Sequence, residues 1–123
     1  MKKAFYSVVI LTVLSLTTSS FNTINKPLLP TFLKVTVLDH LGNAVEGATV
    51  TLYASEEDYF EEKKPVVEGE KTDKKGRVTF KKLDPIQYFI HAKKGDKDNV
   101  GEGVSTSKLI EGKINLVNTI IKE

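Results

Sequence analysis

Apolar and polar residues alternate in two neighbouring runs, Leu33/Val35/Val37 and Ala48/Val50/Leu52. A period of two in β-branched residues predicts two half-buried strands, at about Phe32–Leu38 and Ala48–Ala54. Asp39–Glu46 between them carries Gly42-Asn43 and reads as a polar corner. The alternation then stops at Ser55–Lys64, where Glu56, Glu57, Asp58, Glu61 and Glu62 cluster before Pro65. That stretch predicts a loop or a short helical turn, with Ser55 as its cap and Glu57 and Asp58 in its first turn. Strands are expected again at about Val66–Lys71 and, beyond the turn Thr72–Gly76, at Arg77–Phe80 with Val78 and Phe80 inward. Leu83 follows, and Asp84-Pro85 turns the chain. Gln87–Lys93 predicts a central strand, with Tyr88, Ile90 and Ala92 on one face and Phe89 and His91 on the other. Lys94–Asn99 is polar and reads as a loop, and Val100–Ile110 as weak, glycine-punctuated strand material. Lys113–Ile121 closes the fold, Ile114 and Leu116 on one parity and Val117 and Ile121 on the other. About seven short strands joined by polar turns, without a helical stripe of three turns, predict an all-β fold: a single antiparallel β-sandwich.

The first thirty residues read differently. Met1-Lys2-Lys3, the apolar run Ala4–Leu16 and the small residues Thr17–Ser20 follow the order of a secretory signal peptide. The run is shorter than the roughly 20 apolar residues a membrane span needs, which weighs against an uncleaved anchor. The expected cut follows Ser20. Phe21–Pro30 carries two prolines and no periodicity, so it reads as an extended lead-in, and the domain occupies residues 31–123. There is no cysteine, which excludes disulfides, a lipidated cysteine and a thiol nucleophile. An exported domain of this size then rests on its hydrophobic core alone. The formal charge of +2 is that of Lys2 and Lys3, so the mature chain balances at zero. That gives no footprint for nucleic acid, which usually leaves a basic face.

Two spacings carry a resemblance. Val37-x-Asp39-x-x-Gly42-x-Ala44-Val45-x-Gly47-Ala48-x-Val50-x-Leu52 resembles the opening of the carboxypeptidase regulatory-like domain. Thr72-Asp73-x-x-Gly76-x-Val78-x-Phe80-x-x-Leu83, then Tyr88-x-Ile90-x-Ala92, resembles its second half. The likeness covers about Thr31–Glu123 and implies a transthyretin-like or prealbumin-like, Greek-key β-sandwich. The matching residues are turn and core residues, so the resemblance speaks for fold more than for function. Ala44 stands where that family usually has Pro, and Ile86 where it usually has Gly; both touch turn types.

Such a scaffold can carry several chemistries. The related collagen-adhesin B-type repeat of pilins and surface adhesins forms an internal isopeptide bond from a Lys, an Asn or Asp, and a catalytic carboxylate. The corresponding positions here are Val37 and Ala92, with Asn118 as the one remaining partner, while Lys34 has solvent parity. Transthyretin-like hydrolases use a His/Arg/His set and a Tyr-Arg-Gly-Ser ending; this chain offers His40, His91 and Arg77 but ends Asn118–Glu123 without that motif. The acid cluster lacks the Asp-x-Asp-x-Asp-Gly spacing of a calcium loop and reads as a solvated acidic segment. Tyr53, Tyr59 and Phe60 beside it, with Phe89 outward, form an apolar contact surface, or else Phe60 merely pins the loop to the sandwich. No catalytic residue, metal or cofactor is expected. The sequence therefore predicts a non-enzymatic, exported binding or accessory module of the cell envelope, periplasmic or at the surface, with a protein or glycan partner. The expected partner-binding loop comprises Tyr53, Glu56, Glu57, Asp58, Tyr59, Phe60, Glu61 and Glu62. Lys94–Asn99 is a second contact loop, and exposed edge strands offer addition of a partner strand. A self-assembling structural or adhesin-like surface protein is the alternative.

Overall fold

The computed structural model describes residues 29–123, so the expected signal peptide and most of the lead-in lie outside the described residues. Seven strands and one short helix follow in the order β1 (Phe32–Asp39), β2 (Thr49–Tyr53), α1 (Glu56–Glu61), β3 (Val67–Lys71), β4 (Arg77–Phe80), β5 (Phe89–Lys94), β6 (Lys97–Asp98) and β7 (Ile114–Ile121). They form two sheets, ordered β4-β1-β7 and β3-β2-β5-β6. The inward parity is the one the alternation sets. Leu33, Val35 and Val37 from β1 meet Val50 and Leu52 from β2 and Ile90 and Ala92 from β5, all fully buried. Strand period fixes this choice, since a one-residue slip would turn every one of these side chains to water.

Not every pairing is antiparallel. β1 and β7 run parallel over their whole length, from Phe32 beside Ile114 to Asp39 beside Ile121. No hairpin connects them, and parallel neighbours need a long crossover, which the intervening six elements supply. The region between β5 and β7 also differs from expectation. Lys94–Asn99 is not a plain loop: Gly95, at φ +61°, and Asp96 form a tight turn that folds β6 back on β5. Val100–Ile110 is not a strand, because Gly101 and Gly103 both take positive φ and break the extended run. It is held instead by single contacts to β5 and to Tyr88 just before it. Ile90 N–H donates to Val104 O, Thr106 N–H to Tyr88 O, and Tyr88 N–H to the Thr106 hydroxyl.

The two Asp-x-x-Gly stretches build the same turn twice. Asp39 Oδ1 accepts the N–H groups of Leu41 and Asn43, and Asp73 Oδ1 those of Lys75 and Arg77, all at 2.8–3.0 Å. These donors favour the charged carboxylate, so both groups titrate below the usual aspartate range. The leading cause is the Asn43 N–H for Asp39 and the Arg77 N–H for Asp73. Gly76 is packed under β1, and a Cβ there would stand 2.7 Å from Val37 O. The buried Thr72 hydroxyl completes this end by donating to Val45 O and accepting from Ala48 N–H.

Candidate partner-binding surface

Helix α1 begins where the β2 alternation ends. Ser55 has extended backbone angles, and its hydroxyl accepts the Asp58 N–H at 3.1 Å. Glu56, Glu57 and Asp58 then lie in the first turn, where a helix favours negative charge. The helix stops at Glu62, which adopts the left-handed conformation at φ 52° and turns its N–H back to Tyr59 O. Six residues give one side chain to the protein and most of the rest to water.

That side chain is Tyr59, only 4% exposed. Its ring meets Tyr53 and His91 edge-on, each at 6.0 Å between centroids, and Phe60 at 5.2 Å. Tyr53 is equally buried. Burial raises the titration of both hydroxyls above the ordinary tyrosine value, with Asp98 and then Glu62 adding to it at Tyr59 and Glu62 at Tyr53. The Tyr59 hydroxyl has no hydrogen-bond partner among the described residues. His91 Nδ1 lies 3.7 Å from Glu62 Oε1, so the end of the helix is tied loosely to β5.

The expected contact loop thus divides in two. Tyr53 and Tyr59 belong to the seat of the helix and are buried there. Phe60, 65% exposed, stands outward with Glu56, Glu57, Glu61 and Glu62 around it, while Asp58 is half-buried. It is Tyr59, not Phe60, that pins the segment to the sandwich. Among the described residues, no three His, Asp or Glu side chains gather closely enough to hold a metal ion.

The other candidate groups do not converge. Arg77 pairs with Thr36 on the outer face of the β4-β1-β7 sheet, His91 lies on the outer face of the opposite sheet, and His40 is exposed in the first turn. Val37 and Ala92 fill their core positions with hydrocarbon. Asn118 pairs with Thr36 and faces outward; the residue beside Val37 is Thr119. There the core holds a polar contact that the alternation gave no sign of. Asn99, fully buried, donates from Nδ2 to Ile90 O at 2.8 Å and to the Thr119 hydroxyl at 2.9 Å. Its Oδ1 accepts Ala92 N–H at 3.1 Å, so one amide ties the two sheets together with all its partners present. Asn99, at the end of the expected contact loop Lys94–Asn99, is thus buried in the core.

The outer face of the β4-β1-β7 sheet carries the second unassigned surface. Its outward positions on β1 and β7 pair as Phe32 with Ile114, Lys34 with Leu116, Thr36 with Asn118 and Leu38 with Ile120. Ile114, Leu116 and Ile120 are 57%, 74% and 38% exposed. Beside Lys34, on β4 and the turn before it, a shallow depression of about 510 Å³ is lined by Lys74, Lys75, Arg77 and Thr79, with Asp73 engaged by its own turn.

No family model matches the chain, and no curated protein does. Solved structures do. The TIE protein of Bacillus anthracis aligns with a TM-score of 0.53 and 24% identity over 77% of this chain and 18% of its own. BcpA, the major pilin subunit of Bacillus cereus, aligns at 0.50 and 16% identity over 76% of this chain and 30% of its own. A variant of BcpA aligns at 0.52 and 14% identity. The chain spans less than a third of the length of each. At these identities the likeness is one of fold: an all-β, two-sheet domain of the kind found in these proteins.

Proposed function

We propose, from that shared architecture, that the chain is an extracellular structural or adhesin-like domain of the cell surface. The fold likeness to a pilin subunit carries this reading over the accessory binding module that the sequence alone suggested, and it favours the surface over the periplasm. The described surface agrees with it. The outward groups are a solvent-facing acidic helix and an apolar sheet face, suited to contact with other macromolecules, while His91 and Arg77 lie on different sheets. Within this reading the finer assignment, a carboxypeptidase-regulatory-like, transthyretin-like Greek-key sandwich exported by cleavage after Ser20, rests on the Asp-x-x-Gly turns and the charge-then-apolar start. A protein or glycan partner would meet the sandwich through its outer surfaces.

The test is surface labelling of intact cells producing the chain with a tag after Glu123. A membrane-impermeant reagent should label it without lysis, and mass spectrometry should find Phe21 as the first residue. Labelling only after the envelope is opened would overturn the reading.

A further inference from the structure

The acidic helix and the bare sheet face are chemical complements, and they lie on opposite sides of the same molecule. We propose that α1 of one copy docks on the outer face of the β4-β1-β7 sheet of a second copy; this rests on the structural-subunit reading and names its contact. The donor presents one exposed aromatic ring, Phe60, with Glu56 and Glu57 one turn behind it and Glu61 beside it. The acceptor presents Ile114 and Leu116 as an apolar seat, and Lys34 and Arg77 as cations on the neighbouring strands. No acidic residue occupies an outward position on these three strands; Asp39, at the end of β1, has the parity of Val35 and Val37. Ring on hydrocarbon with carboxylates over cations satisfies both patches at once.

The opposite sheet does not offer the same seat. Its outer face is polar, with Thr49, Thr51, Lys71 and Lys93 around a shallow cleft, so it could attract the carboxylates but not cover Phe60. Apolar side chains outward on a strand need no explanation singly, but Ile114, Leu116 and Ile120 stand along one strand in a fold that does not require them there. Because α1 sits on β2 and β5, donor and acceptor belong to opposite faces. Such a contact is heterologous: each copy keeps one free donor and one free acceptor, and the assembly grows as a fibre or closes as a ring. Its charged part is surface-exposed and weakens as salt rises.

The experiment uses the chain tagged after Glu123 and purified from the cells that produce it, followed by sedimentation velocity. Wild type should form a concentration-dependent series of oligomers that shortens in high salt. A donor-blocked variant, Phe60→Ser with Glu57→Lys, and an acceptor-blocked variant, Leu116→Asp with Arg77→Glu, should each sediment as a monomer. Mixed, they should give a species of twice the monomer mass and nothing larger, because one free donor meets one free acceptor. That dimer would also show that both variants fold. Wild type that stays monomeric at every concentration overturns the proposal and assigns the sheet face to a different occupant. Wild type that assembles, with both variants assembling equally well, overturns this contact while leaving the structural-subunit reading standing.

Discussion

The two outer faces of the sandwich share a geometry and differ in what covers them. On the β3-β2-β5-β6 sheet, Tyr53 and His91 are roofed by α1, and the uncovered remainder is threonine and lysine. On the β4-β1-β7 sheet nothing among the described residues lies over Ile114 and Leu116. The inner faces of both sheets are fixed by the same demand, hydrocarbon against hydrocarbon, and tell the two apart poorly. The outer faces are free of that demand, so their composition carries information about use. One uses its aromatics to seat an acidic helix; the other, among the described residues, leaves aliphatic side chains uncovered.

Removing the seat should have the largest effect on stability. Tyr59→Ala should cost about 3 kcal/mol, the loss expected for a buried aromatic ring, whereas Leu116→Ala on the opposite face should cost under about 0.5 kcal/mol; urea denaturation of both measures the contrast. Equal losses would mean that Leu116 is packed or that α1 is not. A smaller change is expected at the cap. Ser55→Ala should cost about 1 kcal/mol by freeing the Asp58 N–H, with hydrogen exchange quickening in Glu56–Glu61 and not in β7. Tyr59→Phe removes a buried hydroxyl that has no partner among the described residues, so the melting temperature should hold or rise. A fall would show that the hydroxyl is bonded.

The turn at the basic corner gives a test by pH. Asp73 is held below the ordinary carboxylate range in the folded state by the Arg77 and Lys75 N–H groups. A group depressed on folding binds its proton more readily unfolded, so its stabilising effect is complete above the unfolded value and fades as pH falls through the folded one. Thermal melts of Asp73→Asn should therefore lose less stability than wild type on acidification below about pH 4. Parallel curves would show that the turn makes no such contribution.

The sequence made the inner faces legible because burial imposes a period of two: Leu33, Val35, Val37, Val50, Leu52, Ile90 and Ala92 all point where their alternation placed them. Both Asp-x-x-Gly turns were legible for a local reason, a carboxylate reaching its own backbone two and four residues on. Ser55 announced the helix. What stayed hidden depends on partners distant in sequence. Nothing local states that β7 joins β1 in parallel, since the pairing is chosen by the whole crossover. Asn99 reads as loop because an amide enters a core only when three distant partners, Ile90, Ala92 and Thr119, are already in place. Tyr59 and Phe60 are adjacent aromatics on a helix too short to have a stripe, and only the position of β5 decides which turns inward.

Site-specific photo-cross-linking tests the account most directly: a benzophenone side chain in place of Phe60, illuminated on intact cells producing the tagged chain. The account predicts a ladder of adducts built from this chain alone, with the cross-linked peptide of the second copy containing Ile114–Ile121 or Arg77–Phe80. Adducts with other proteins only, or no adduct at all, would contradict it.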